Sequence, residues 1–446
     1  MKTLIKTYIA LTLSLLLFSC KKFLDVQPKT AVSDELTISD KTSAQTALNG
    51  TYNALGSSDY YGVAFPMIGY ASGDNAEYIG TLVYNKQFTM HSVRSDNQTI
   101  SSAWIAIYNT INRANHLIAK VPNIKDPLLT DAERNRLLGE ALFIRALAYF
   151  DVARVWGGAP LVLTPTLSVS DKKGVKRSDV NALYEQVLAD LTAAEPLLPL
   201  TTDRFHATRK TVWALLSRYH LYRKNWQEAA SYADKLIADT DYELVYPYSA
   251  FFAGGAVGTK ESVFEIKYST VFLNPNRDDW QPATSGGGRR IIPTDAFIQL
   301  ANNTDKGGGR AALLGKTSTG LWYGNLYYRS PATDPSYIFR IAEIYLIRAE
   351  ARAQLQQLSG ALEDLNRVRK RADLEDSQAS GQQAVLLAIE EENRLEFGLE
   401  PHRWFDLVRT GRATAVLNFT DTQKLLLPIP VNEIIIDDAL EQNPGY

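Results

Sequence analysis

The sequence predicts a mainly α protein, a scaffold of antiparallel helix pairs carrying long irregular loops and a few short strands. Three observations predict it. Apolar residues recur at three- and four-residue intervals over most of the chain, the period of one helix face. Two stretches rich in tyrosine and tryptophan break that period with Gly, Pro and Asn. The 446 residues are 45% hydrophobic and 22% charged, enough apolar area for one large core or several intergrown ones.

Charge and cysteine content narrow the function classes. Lys plus Arg total 47 against 49 Asp plus Glu, a net charge of -2, which argues against a chain built for a phosphate backbone, a local basic patch aside. Cys20 is the single cysteine, so no internal disulfide forms. His91, His116, His206, His220 and His402 lie too far apart in sequence for a zinc cluster, and no metal or cofactor is expected.

The chain opens MKTLIKTYIALTLSLLLFSCKKFLD. Lys2 and Lys6 precede an uncharged run, Tyr8 to Phe18, that is shorter than the ~20 residues a membrane-crossing helix needs. It has the length of a signal-peptide core. Ser19 before Cys20 resembles the lipobox of a bacterial lipoprotein, in which the cysteine is acylated and becomes the first mature residue. Residues 1–19 then read as signal peptide, and 20–39, polar and with Pro28, as a lipidated tether. Cleavage removes two lysines, leaving 45 basic against 49 acidic side chains. Several acyl chains on one residue anchor stably where one binds reversibly. No later stretch has 18 consecutive apolar residues, so the body should sit in water beside the membrane.

Along that body a first helix is expected over Ser43 to Leu55, then loops and small elements over 56–100. Helices resume at Ile100–Val121 and Asp131–Val155, the second capped by Thr130 with Glu133. Gly157, Gly158 and Pro160 force a turn, and Asp179–Ala194 is helical with Ser178 as a possible cap. Trp213, Leu216, Ser217, Trp226, Ala229, Ala233 and Leu236 then fall at the intervals of a tetratricopeptide-like helix pair. Tyr345, Ala349, Leu358, Ala361 and Leu365 repeat the scheme. The copies are far more than 34 residues apart, which argues against neighbouring units of a simple solenoid. A loop-rich insert over 241–335 separates them, with SVFEIKYS as a short strand and LWYGNLYYRS as an aromatic run. Helices at Gln382–Leu399 and Arg403–Arg409 complete the set. Residues 40–240, 241–335 and 336–446 should form one intergrown body.

The ordered motifs resemble the SusD/RagB family of outer-membrane lipoproteins of Bacteroidota. SCKKFLD at Ser19–Asp25 is similar to that family's N-terminal signature. AWIAIYNTINRANHLI (Ala103–Ile118) and LLGEALFIRALAYFDVARVWGGAPLVL (Leu137–Leu163) resemble its N-terminal region. YIFRIAEIYLIRAEA (Tyr337–Ala351), ALEDLNRVRKRA, EENRLEFGLEPHRWFDLVR, LLPIPVNEI and QNPGY resemble its C-terminal region. The resemblance implies a SusD-like fold and an outer-membrane location facing the cell exterior. It also implies non-catalytic capture of an oligosaccharide or glycan, handed to a SusC-like TonB-dependent transporter. Some branches bind peptides instead.

Charged residues on apolar helix faces read as structural ion pairs: Glu140 and Arg145; Arg340, Glu343, Arg348 and Glu350; Arg394, Glu396, Arg403, Asp406 and Arg409. A hydrolase would need two carboxyls roughly 5 to 9.5 Å apart across a cleft. Glu390, Glu391 and Glu396 are the acids it would use, and the arginines around them favour pairing. Ligand contact is expected in the aromatic inserts, where ring faces meet sugar C–H groups and polar side chains read hydroxyls. The first insert offers Tyr60, Tyr61, Tyr70, Asp74, Asn75 and Tyr78, and its SGDN run resembles the place where the family often carries an acid. The second offers Arg277, Asp279, Trp280, Trp322, Tyr323, Tyr327 and Tyr328. Each could serve packing instead. Trp280 ranks first because RDDWQP surrounds it with polar and turn-forming residues, and Trp322 follows. GGG at 286–288 and 307–309 lacks phosphate-loop spacing and reads as loop tips, although Arg289 and Arg290 could meet a uronic acid or sulfate.

Cys20→Ala should move the protein from the membrane pellet to the soluble fraction. Undiminished membrane retention would remove the lipid anchor from the account.

Overall fold

The protein is described by a computed structural model covering residues 38–168, 171 and 174–446. The signal segment, Cys20 and the tether to residue 37 lie outside the described residues. Among those described, no helix is long and apolar enough to cross a membrane.

Helix α1, Lys41–Leu55, starts two residues earlier than expected because Asp40, accepting from the Ser43 N–H, is its cap. Residues 56–100 hold more helix than their sequence shows: α2 (Ala64–Ala71) and α3 (Val83–Thr89), with strand β1 (Ala76–Tyr78) between. Every residue of α2 is buried, so AFPMIGYA carries no polar stripe from which a helix could be read. Next come α4 (Gln98–Lys120) and α5 (Asp131–Trp156), the latter opening with the Thr130–Glu133 capping box. Helix α5 is the axis of the core, buried on nearly every side from Gly139 to Trp156. Gly157, at φ 72°, ends it in a conformation a side chain would strain. The short pair β2 (Ala159–Pro160) and β3 (Arg177–Ser178) leads into α6 (Val180–Leu197), capped by Asp179 rather than Ser178.

The first tetratricopeptide-like pair is α7 (Arg209–Tyr222) and α8 (Trp226–Ile237). Ser217 donates to the Ala229 carbonyl at 3.0 Å, a contact that only small residues permit. The insert follows as β4 (Ser262–Ile266), α9 (Asn276–Trp280), β5 (Ile291–Pro293), α10 (Asp295–Ala301), β6 (Leu314–Lys316) and β7 (Trp322–Gly324). After it, β8 (Ser336–Arg340) runs straight into α11 (Ile341–Gln354) and α12 (Leu358–Arg371), the second helix pair. Helix α8 packs against α11, so the two pairs are neighbours in space. Their separation in sequence had argued otherwise. The insert loops out between them because β4 and β8 pair antiparallel and return the chain to its point of departure. Both strands are buried on both faces, which is why β4 carries a buried Glu265, held by Ser262 and the Gly258 N–H, where alternation would place an exposed one. Helices α13 (Gln382–Glu396), α14 (Arg403–Arg409), α15 (Ala413–Leu417) and α16 (Val431–Ile436) close the fold.

A buried cluster of charge joins these parts. Arg340, at the end of β8, meets Glu261 at 2.9 Å, Glu396 at 2.7 Å and Glu400 at 2.6 Å. Arg310 pairs with Glu392 and with Glu396 (2.9 Å), and Arg371 with Glu396 and Glu261. Burial alone would raise the Glu396 carboxyl, but Arg371, Arg340 and Arg310 outweigh it and hold Glu396 well below the usual range. The rings of Phe251 and Phe397 flank the Arg340 guanidinium at 4.4 and 4.6 Å. Elsewhere Arg145 ties α5 to Asp190 of α6, Arg218 ties α7 to Glu343, and Arg409 ties α14 to Glu350, each at 2.6 Å. Arg409 also meets Asp406, Arg348 meets Asp364, and Glu140 takes Arg136 and the Tyr52 hydroxyl.

Replacing Arg340 by Met leaves buried Glu400 without a cation and takes one from Glu261 and from Glu396, and urea denaturation should show a loss of about 3–5 kcal/mol. A loss under 1 kcal/mol would show that the cluster does not hold the insert to the helices.

Candidate functional site

The two aromatic inserts meet as one surface through segments more than two hundred residues apart. Strand β1 pairs antiparallel with β5, placing Tyr78 opposite Ile291 and Glu77 opposite Ile292, and the Ile79 N–H extends the ladder to the Arg290 carbonyl at 2.8 Å. Strand β7 lies along β5 and forms a hairpin with β6 in which Trp322 faces Lys316 and Tyr323 faces Gly315. Side chains alternate along a strand. Trp322 therefore shares a face with Gly324, and Tyr323 points to the other side, where its ring lies over Gly315.

Trp280 lies beneath this sheet. A Cβ on Gly324 would sit 2.4 Å from its ring, and Tyr70 meets it edge-on with centroids 5.3 Å apart. Trp280 is 0% exposed. It presents no face to a ligand here, which corrects its first rank: Asn276 and Trp280, four apart on α9, turn inward together while Asp278 turns out. Tyr327 is likewise core, its hydroxyl 3.4 Å from that of Tyr70. Tyr60 and Tyr61 are buried and donate to Asp151 at 2.6 and 2.7 Å.

Asp74 and Asn75 are occupied as fasteners. Asp74 binds Arg403 at 2.6 Å and Arg394 at 3.0 Å, and Asn75 exchanges hydrogen bonds with Arg394. They lock the first insert to α13 and α14 rather than presenting groups to a sugar. Arg277 is half-buried and donates to the Ser285 carbonyl. Asp279 faces Arg290 at 3.3 Å, and Arg290 also holds Asp278. Tyr78 is buried with its hydroxyl unpartnered, as are the Arg277 Nε and the Trp280 indole N–H. Such orphaned polar groups are uncommon, and others lie in the charge cluster at Arg310 and Arg371.

What remains open on this surface is half-exposed Trp322, Tyr323 and Arg289, exposed Lys316, and the apolar Ile79, Leu82 and Leu321. Lys316 and the three aliphatics carry no motif, so the sequence offered no signal for them. Two larger hollows lie elsewhere among the described residues. One of about 210 Å³ is walled by paired charges of α11, α13 and α14. The other, about 890 Å³, lies between α4 and α16, and its rim at Ser168 and Val175 borders residues outside the described set.

The comparisons with known proteins agree with one another. The model of a family described as "Starch-binding associating with outer membrane" matches residues 22–221, and that of the SusD family matches 313–421. The chain belongs to the SusD/RagB family. A SusD-like protein of Formosa agariphila is 26% identical over 96% of both chains. The starch-binding protein SusD of Bacteroides thetaiotaomicron is 35% identical over 36% of this chain. Among solved structures, a SusD superfamily protein of Bacteroides vulgatus superposes with TM-score 0.81 at 25% identity, covering 92% of this chain and all of that one. A laminarin-binding SusD-like protein superposes with TM-score 0.81 at 23% identity over 92% of this chain and all of its own. The fold is thus SusD-like, mainly α. The SusD family models leave out 222–312, the part of the chain that supplies α9 and β5 to the surface described above.

Burial pushes the Asp279 carboxyl up to about 6, with Arg290 opposing and Asp278 adding to the rise. A raised carboxyl favours the protonated fold, so this contribution is full below about pH 4 and lost as pH rises through 6. Asp279→Asn should remove that decline. Melting temperatures of wild type and variant, compared from pH 4 to 7, should diverge with pH; parallel curves would show that Asp279 does not titrate there.

Proposed function

We propose that this protein captures oligosaccharide at the cell surface and passes it to a SusC-like TonB-dependent transporter, without chemistry of its own. The observation that carries the reading is the fusion of the inserts through β1–β5 and β7, which leaves Trp322 half-exposed on the same face of β7 as Gly324, the residue that packs on the buried Trp280–Tyr70 pair. An indole face held this way offers apolar contact to sugar C–H groups at little entropic cost. The starch-binding description of the matching family and the laminarin-binding neighbour support glycan as the cargo class. The acids a glycosidase would need are engaged: Glu390 with Arg403 and Arg412, Glu391 with Lys306, Glu396 with three arginines. That engagement supports binding over hydrolysis. Anchoring through Cys20 in the outer membrane, facing outward, completes the reading. Peptide cargo is the alternative, since the same rings and charges serve a peptide.

Calorimetry of the purified protein against laminarin, acidic glycans and short peptides separates the cargo classes. Glycan heat without peptide heat is expected. Trp322→Ala should then weaken glycan binding at least about tenfold, ~1.4 kcal/mol, with little change in melting temperature. Heat from peptides alone would transfer the function to peptide uptake.

A further inference from the structure

Two adjacent arginines follow the glycine run, and they are used differently. Arg290 is saturated by Asp278 and Asp279. Arg289 forms no carboxylate pair among the described residues. Its backbone sits at φ 46°, a left-handed conformation that strains any residue with a Cβ. Bonds on either side of it hold that turn: Gly288 N–H to the Asp278 carbonyl at 2.6 Å and Arg289 N–H to the Gln281 carbonyl at 2.8 Å. The side chain is fixed as well, because Nε donates to the Trp322 carbonyl at 2.8 Å. One corner of the guanidinium is thus tied to the strand that carries Trp322, and its two terminal nitrogens form no hydrogen bond among the described residues. A half-buried cation so placed gives up hydration without gaining an anionic partner among those residues.

Lys316 mirrors it across the hairpin. Its ammonium lies 4.8 Å from the centre of the Trp322 ring, on an exposed side chain, and it too pairs with no carboxylate among the described residues. Trp322 therefore carries a mobile point charge over its ring and a fixed planar cation on its backbone carbonyl, and the nearby acids Asp278 and Asp279 are already committed to Arg290. An arginine fork matches the two oxygens of a carboxylate or sulfate, and a lysine adds charge without demanding geometry.

We propose that this face selects anionic glycans: a sulfate ester or uronate carboxylate on a sugar stacked at Trp322 is read by the Arg289 guanidinium and the Lys316 ammonium. The proposal rests on the glycan-capture reading and specifies its substrate class. It predicts that affinity for a charged glycan falls with salt, because the contacts are partly solvent-exposed.

The test uses three probes on the purified protein: laminarin, chemically sulfated laminarin and polygalacturonate. At low salt at least one charged probe should bind about tenfold tighter than laminarin, the size expected of one charge-assisted hydrogen bond. Which of the two does so distinguishes sulfate from carboxylate. Arg289→Gln and Lys316→Gln should each weaken the charged probe about five- to tenfold and leave laminarin within about twofold, with unchanged melting temperature. Equal affinity for laminarin and both charged probes, or charged-probe binding unchanged in both variants, overturns the anion proposal while laminarin binding lost in Trp322→Ala keeps the capture reading. Absence of binding to all three probes, or full binding by Trp322→Ala, overturns both.

Discussion

Glu396 is the residue on which the rest of the molecule is arranged. It closes α13, and three arginines from three different segments converge on it: Arg310 from the insert, Arg340 from the end of β8, and Arg371 from the end of α12. Each of those arginines takes a further glutamate, so that Glu261, Glu392 and Glu400 join a network with almost no solvent contact. Burying this much charge is expensive, and hydrophobic side chains of equal volume often stabilise as well or better. What the cluster adds is direction. An apolar insert could settle against the helices in many registers, whereas forks that must meet carboxylates edge to edge admit few.

That constraint explains how a long irregular insert stays ordered beside a helical scaffold. Its two ends are joined by β4–β8, whose last residue is Arg340 itself, so the strand pair and the ion cluster fix the same point. Everything between then extends from a rigid base. Gly324 lies against Trp280, Trp280 against Tyr70 of α2, and Asp74 just past α2 against Arg394 and Arg403. Half-exposed Trp322 is therefore linked to the Glu396 end of α13 through packed contacts on one side and charge pairs on the other.

The sequence made the helices legible because most of them keep a solvent stripe, and it made the cap at Thr130 legible because Glu133 answers it three residues on. It concealed α2, whose every side is buried, and it placed the start of α1 two residues late and that of α6 one residue early, because Asp40 caps the first and Asp179 rather than Ser178 caps the second. The adjacency of the two helix pairs was hidden for a different reason: linear separation says nothing once β4 and β8 close the intervening loop. At the candidate site the polar neighbours of Trp280 misled, since a single helical turn is enough to face Asp278 outward while the indole turns in. Asp74 misled because its partners, Arg394 and Arg403, lie some 320 residues away. No local pattern carries that information.

The division between pinned and open positions also bears on how such a scaffold acquires a cargo. Residues that hold the insert are engaged several times over: Asp74 meets two arginines, Arg290 two aspartates, Arg340 three glutamates. A change at any of them leaves buried or half-buried charge unpaired and acts through stability. Trp322, Lys316 and the free edge of Arg289 are different, because their outer atoms meet no carboxylate and little of the core. Substitution there costs the fold little and, on the proposed reading, alters what the surface recognises. On that reading ligand class can vary at Lys316, Trp322 and Arg289 without disturbing the charge network, which separates the evolution of cargo from the maintenance of fold.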